Sequence, residues 1–145
     1  MARQQAVGAP GGQSIVDELT GPVNDYNPPP LMPERRRFFE RLVMLCEQNG
    51  DPITTPPRVT RQNIDLHRLY MAVRRRGGFM QVTYDQVWQH LCQAASSAIT
   101  ETITETPAAG RQLRKHYEKY LLKLECAETH RSYEETIDFM NKHKY

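Results

Sequence analysis

The stretch from Thr106 to Glu125 constrains this chain more than any other segment. Thr106 offers a hydroxyl that can cap a helix. Pro107 suits a first helical position, where its missing N–H costs nothing. Beyond that start, Leu113, Tyr117, Tyr120, Leu121 and Leu124 fall within roughly 100° of arc at about 100° per residue. Arg111, Gln112, Lys115, Lys119 and Lys123 fall within about 120° on the other side. The spacing predicts one helix over 107–125 with an apolar face for a core and a basic face turned outward.

Further helices follow from the same logic. Pro33 suits the start of a helix and Glu34 its positive end. Phe38, Phe39, Leu42, Val43, Leu45 and Cys46 lie largely on one side, and Asn49-Gly50-Asp51-Pro52 ends the run. Residues 50–62 read as a loop. A second helix starts near Asp65, with Leu66, Leu69, Tyr70 and Val73 at i, i+3, i+4 and i+7. Arg74-Arg75-Arg76 loads its last turn with positive charge and Gly77-Gly78 stops it. A third helix is predicted from Thr83, with Gln86 at capping-box spacing and a stripe of Tyr84, Val87, Trp88 and Leu91. Residues 94–106 lose periodicity and read as a long loop. A final amphipathic helix uses Tyr133, Ile137 and Met140.

The ends are less apolar. Residues 1–30 mix Gly, Pro, Gln and Asn, end in Asn27-Pro28-Pro29-Pro30, and have little to bury, so disorder is the expectation there. The implied organisation is a disordered Pro/Gly-rich segment over 1–30, a folded domain over 31–126 and a C-terminal helical extension over 127–145. A mean hydropathy of −0.69 fits one compact core with solvated ends. The fold class is all-α, and a single domain behind a Pro-rich entry reads as an excerpt of a longer protein.

Net charge is only +2 over 145 residues, but it is unevenly placed. Residues 34–91 hold ten arginines against six acids, and residues 111–126 hold five basic groups against two acids. The flanks are mildly acidic. This is a moderate electrostatic footprint for a polyanion; its bland counterpart is a solvated surface with arginines in helix pairs. No run reaches the ~18 apolar residues of a membrane span, and Met1–Gln13 has no apolar core of a secretory signal. Three cysteines at irregular spacing argue against a disulfide framework and for a reducing compartment.

Enzyme chemistry is not indicated. Gly77-Gly78 caps a helix and does not follow a strand, so it is no phosphate loop. No serine sits in a nucleophile elbow. His90 with Cys92, and Cys126 with His130, lack the paired spacing of zinc sites. Cys46 and Cys92 lie on or beside apolar stripes, as do the aromatic residues, so core packing accounts for them. No metal, cofactor or small-molecule substrate is expected.

The basic helix is the informative element. A helix that enters the major groove needs base-reading groups near its N-terminus and phosphate-neutralising charges around them. Arg111 and Gln112 occupy that turn, with side chains suited to guanine and adenine edges. Arg114, Lys115 and Lys119 suit phosphates. The element around Trp88 would be the supporting member of a helix-turn-helix.

At this point the sequence resembles the ARID family, the AT-rich interaction domain. The matching residues are Asp65-Leu66-His67-Arg68-Leu69-Tyr70 with Val73, then Gly77-Gly78-Phe79, Val82 and Trp88. Ala109-Gly110 before Leu113, then Tyr117, Tyr120-Leu121 and Glu125-Cys126, complete the pattern across residues 34–126. Leu113 to Tyr117 and the Glu-Cys ending look most like the Osa-type large subunits of SWI/SNF chromatin remodellers.

The resemblance implies a bundle of about six helices with a modified helix-turn-helix that binds double-stranded DNA. It implies contacts from the loop after the first helix (Thr54, Thr55, Arg58, Thr60, Arg61) and from the loop before the recognition helix (Thr104, Thr106). It also implies contacts from the N-terminal half of that helix (Ala109, Gly110, Arg111, Gln112, Arg114, Lys115, Lys119). A nuclear, monomeric domain working with other subunits of a chromatin-remodelling complex in transcription regulation follows as a family expectation. Little sequence preference is implied by the Osa-type likeness.

Three departures stand out. Gly110 replaces the family's common alanine, loosens the helix by up to ~1 kcal/mol, and would permit closer backbone approach. Arg111-Gln112 is bulkier than usual there. Glu101 and Glu105 would sit near phosphates and repel them. Those acids and the nearly balanced charge motivate the alternative, a helical protein-interaction module on the same scaffold with negligible DNA affinity.

Overall fold

The structure, a computed structural model, describes residues 11–97 and 102–143. The chain divides into two compact units, residues 1–56 and 57–145. Its described residues are mostly helical, as the periodicity indicated, with one short two-stranded hairpin.

The first unit pairs α1 (Gly11–Thr20) with α2 (Met32–Gln48), joined by a 3-10 turn at Pro29–Leu31. Disorder was the expectation for 1–30. Residues 1–10 lie outside the described residues, but from Gly11 the chain is helical. The reason is an apolar stripe of Ile15, Val16 and Leu19, all buried, hidden in a polar composition. Arg35 of α2 is buried and fits this pairing. Its Nε donates to Thr20 O (2.7 Å) and its Nη2 to Leu19 O (3.0 Å). These are carbonyls of the last turn of α1, which a helix leaves unpaired and which attract a cation. The guanidinium also lies 5.0 Å from the Phe39 ring centroid.

The second unit begins with the antiparallel hairpin β1 (Arg58–Val59) and β2 (Gln62–Asn63). This corrects the reading of 50–62 as plain loop. Then come α3 (Leu66–Arg75), α4 (Phe79–Asp85), a 3-10 turn (Trp88–Leu91) and α5 (Cys92–Ala95). After the second loop come α6 (Pro107–His116), a π-helical turn (Tyr117–Leu121), α7 (Leu122–Thr129) and α8 (Tyr133–His143).

Several starts are set locally. Asp65 caps α3 by accepting from Arg68 N (3.1 Å), and Thr106 caps α6 by accepting from Ala109 N (3.0 Å). The helix expected from Thr83 instead runs from Phe79 and ends at Gln86, which adopts a left-handed conformation. Its first N–H is satisfied from far along the chain. Glu125, buried, accepts from Phe79 N at 3.1 and 3.2 Å and from the Tyr117 hydroxyl. Thr83 accepts from Trp88 Nε1 (2.9 Å), so its hydroxyl serves the core and not a capping box. Tyr84, placed in the apolar stripe by spacing, is exposed.

Tyr117 stands at the centre of the aromatic core, with ring centroids 5.7 Å from Phe79, 5.6 Å from Trp88 and 6.3 Å from Tyr70. Burial and the Glu125 carboxylate push its phenol far above the usual range. The π turn through this residue adds one residue to the helical repeat. The inward face therefore advances by one position. Leu122 and Glu125 turn in, and Tyr120, assigned to the core by straight-helix spacing, sits half-exposed at the edge.

Gly110 sets the spacing between α6 and the Trp88–Leu91 turn. A Cβ there would lie 2.8 Å from Gln89 N and 3.0 Å from Gln89 Cα, both backbone atoms that cannot rotate away. Gly110→Ala should therefore destabilise the domain by about 1–3 kcal/mol through overpacking, against a helix-propensity gain of up to ~1 kcal/mol. Urea unfolding measures this; an alanine variant more stable than the parent would contradict the close approach.

Candidate nucleic-acid interface

The basic face of α6 is real but smaller than its sequence suggests. Arg111, Lys115 and Lys119 are exposed. Arg114 is half-buried, 3.5 Å from Glu118 Oε1 and over the Phe79 ring at 5.9 Å, so it braces the helix against the core. Lys123, carried round by the π turn, lies over the Tyr133 ring at 4.9 Å. Ala109 and Gly110 are buried. The missing side chain of Gly110 serves the packing against Gln89.

The hairpin is docked beside this face. Thr60 N donates to Gln112 Oε1 (3.0 Å), and His116 Nε2 donates to Arg58 O (2.7 Å). Gln112 and His116, four residues apart, form one ridge of α6. Gln112 is therefore an anchor for the hairpin, a different task from the adenine reading its position suggested. Tyr120 stacks on His116 with centroids 6.1 Å apart, and so supports the same contact. His116 was missed as a positioning residue because its partner is a backbone carbonyl remote in sequence, and Tyr120 because it acts through His116.

The two turn residues, Thr60 and Arg61, have φ of +50° and +72°. Two consecutive positive φ values are the geometry of the tightest hairpins, which favour Asn-Gly. Threonine and arginine there carry backbone strain of about 1–3 kcal/mol each, and neither announces a turn. The geometry projects Arg61 from the tip, and Arg58 and Arg61 are both exposed. Arg58 Nε donates to Asn63 Oδ1 (3.1 Å), which orients its guanidinium along the hairpin.

The remaining sequence candidates divide. Thr104 is exposed in the loop before α6. Thr106 is half-buried and occupied as the cap of α6. Glu105 lies 3.2 Å from His90 Nδ1, so this acid is engaged by a neighbouring imidazole. Glu101 lies outside the described residues. Thr54 and Thr55 belong to the first unit and are exposed there. Among the described residues, the second unit thus gathers Arg58, Thr60, Arg61, Arg111, Lys115 and Lys119 around one ridge.

Burial pulls the His116 imidazole below its ordinary 6.5; Lys119 acts in the same direction, and the bond to Arg58 O opposes them. A histidine held neutral in the folded state binds more protons when unfolded. Its stabilising contribution should be complete above pH 6.5 and be lost as pH falls through the lower, folded-state value. Urea midpoints measured across this range should fall more steeply for the parent than for His116→Gln. In Gln112→Ala the amide of Thr60 should exchange with solvent about 2–5 times faster, as expected for loss of one weak exposed hydrogen bond. Unchanged exchange would mean that the hairpin is held some other way.

Comparison with known proteins matches the chain to one family. The family model described as the ARID/BRIGHT DNA binding domain covers residues 34–125. Trithorax group protein osa of Drosophila melanogaster is 37% identical over 94 residues, which is 65% of this chain and 3% of that protein. AT-rich interactive domain-containing protein 3B of Homo sapiens is 30% identical over 94 residues, again 65% of this chain and 16% of that protein. The mouse AT-rich interactive domain-containing protein 3C is 32% identical over the same length, 22% of that protein. The chain thus spans only a small part of each of these relatives. With its helical fold, its helix-turn-helix elements and a match over most of its length, the chain belongs to the ARID/BRIGHT DNA-binding domain family.

Proposed function

We propose that the chain is a non-enzymatic, double-stranded-DNA-binding module with little sequence preference. In this reading it is part of a SWI/SNF-type chromatin-remodelling subunit that acts in transcription regulation in the nucleus. The observation that carries the reading is the docking of the hairpin on α6 by Gln112 and His116. It puts the arginines of one loop beside the exposed cations of the helix. The N-terminal half of α6 enters the major groove, while Arg58, Arg61, Arg111, Lys115 and Lys119 neutralise phosphates and set register. Thr60 and Thr104 supply neutral donors at the edges. Thr54 and Thr55, which precede the hairpin in sequence and are exposed, are included because the family likeness implies contacts from this loop. Osa-type likeness supports weak preference and the remodeller context, and a chain spanning a fraction of its relatives is consistent with a domain of a larger subunit. In this scheme residues 31–126 form the binding domain, monomeric in solution, and 127–145 a helical extension.

The alternative is a protein-interaction module with negligible DNA affinity. The exposed aromatics Tyr84 and Phe139, which line a groove with Met80, favour it.

Titration with a mixed-sequence duplex separates the two. Binding should be on the order of micromolar at physiological salt and weaken steeply with added salt. Arg111→Ala and Lys115→Ala should each reduce the salt slope by about 1 and shrink the amide shifts of α6 on adding duplex. Absence of binding at low salt would reverse the conclusion in favour of the protein partner.

A further inference from the structure

The arginines and lysines are not the whole of the polar surface at the start of α6. Gln86 ends α4 in a left-handed conformation, and Gln89 follows on the Trp88–Leu91 turn. Together with Pro107, Gly110, Arg111 and Arg114 they line an open cleft of about 390 Å³. Its geometry is rigid at one point. Gly110 lets the α6 backbone rest on the Gln89 backbone, so the side chains of Gln89 and Arg111 leave from two elements in direct contact.

The chemistry of the cleft favours an oxyanion. Among the described residues, no carboxylate lines it. Arg114 is turned to Glu118 and Phe79 and forms a wall. Arg111 and Gln86 are exposed and Gln89 is half-exposed, so a guanidinium and two side-chain amides are available as donors. An amide N–H pair beside a guanidinium suits phosphate oxygens, to which charged donors give strong bonds and neutral donors give orientation. The glutamines lie on the element that precedes α6. In a helix-turn-helix, that element crosses the sugar-phosphate backbone while the next helix enters the groove.

We propose that this cleft seats one backbone phosphate of the bound DNA. The side-chain amides of Gln86 and Gln89 donate to its free oxygens and Arg111 supplies the charge. The proposal rests on the DNA-binding reading above and adds two contact residues that charge patterning does not reveal. The contact is independent of base identity, so it locks the register of α6 without adding sequence preference.

The test uses duplexes in which single phosphates are replaced in turn by neutral methylphosphonates. The parent chain should lose roughly 10-fold in affinity at one position on each bound strand register, the scale of a charge-assisted contact. Gln86→Ala/Gln89→Ala should bind unmodified duplex several-fold more weakly, with an unchanged salt slope because a neutral amide releases no counterion. It should also be much less sensitive to the modification at that same position. Gln89→Glu, which keeps the side chain's size, should bind more weakly still. Thermal unfolding of each variant confirms that the fold is intact. If both alanines leave affinity and the modification profile as in the parent, the cleft does not hold a phosphate. If affinity falls equally at every modified position, the glutamines act only through structure and the proposal is overturned. If the parent chain itself fails to bind at low salt, the DNA-binding reading has failed first and the proposal falls with it.

Discussion

The second unit is organised around one buried carboxylate. Glu125 accepts from the backbone of Phe79 and from the hydroxyl of Tyr117. An acid in this setting is tolerated only because its oxygens are met by donors. Its position has three consequences. It starts α4 at Phe79. It requires glycine at position 78, where a Cβ would lie 2.9 Å from its Oε2 and where φ is +100°. It also holds Tyr117 upright among Phe79, Trp88 and Tyr70. The π turn brings Glu125 inward to make these bonds, at the cost of one irregular turn in an otherwise regular helix.

The surface inherits its order from this core. Tyr117 and Leu113 seat α6, Gly110 sets its distance from Gln89, and α6 in turn carries Gln112 and His116 to the hairpin. The chain of support runs from a buried acid to a solvent-exposed arginine in a few contacts. Residues that the charge pattern presents as binders thus fall into two kinds. Gln112, Arg114 and Thr106 hold elements in place, and Arg111, Lys115, Lys119, Arg58 and Arg61 remain on the outside. The usable positive charge is therefore less than a count of cations suggests, which is consistent with weak, salt-sensitive association.

Acidic groups near this surface are partly managed. Glu105 faces His90 and Glu118 faces Arg114, and both pairs are exposed enough that each contributes little to stability. Their effect is on direction. A carboxylate bonded to a neighbouring donor or cation presents less negative potential to an approaching phosphate than one pointing freely outward.

Much of the fold was legible because helical periodicity is a local property. Asp65 and Thr106 act as caps, Gly77 and Gly50 end helices with positive φ, and the stripes of α2 and α3 are buried as their spacing implied. The α1 stripe escaped notice because three apolar side chains in a Gly/Gln-rich segment do not dominate its composition. The Thr83 cap was misread because a hydroxyl at the right spacing was already bonded to Trp88. The hairpin was invisible because Thr-Arg is a poor turn pair, stabilised here by Gln112 from fifty-two residues away in sequence.

The sequence by itself therefore determined the helical class, the bounds of α2 and α3, the start of α6, the family pattern and which residues carry charge. Tertiary structure alone decided which of those residues face outward. A π turn shifts the face of a helix by one residue, and a hydrogen bond between distant segments claims a side chain. Neither effect leaves a periodic trace in the chain.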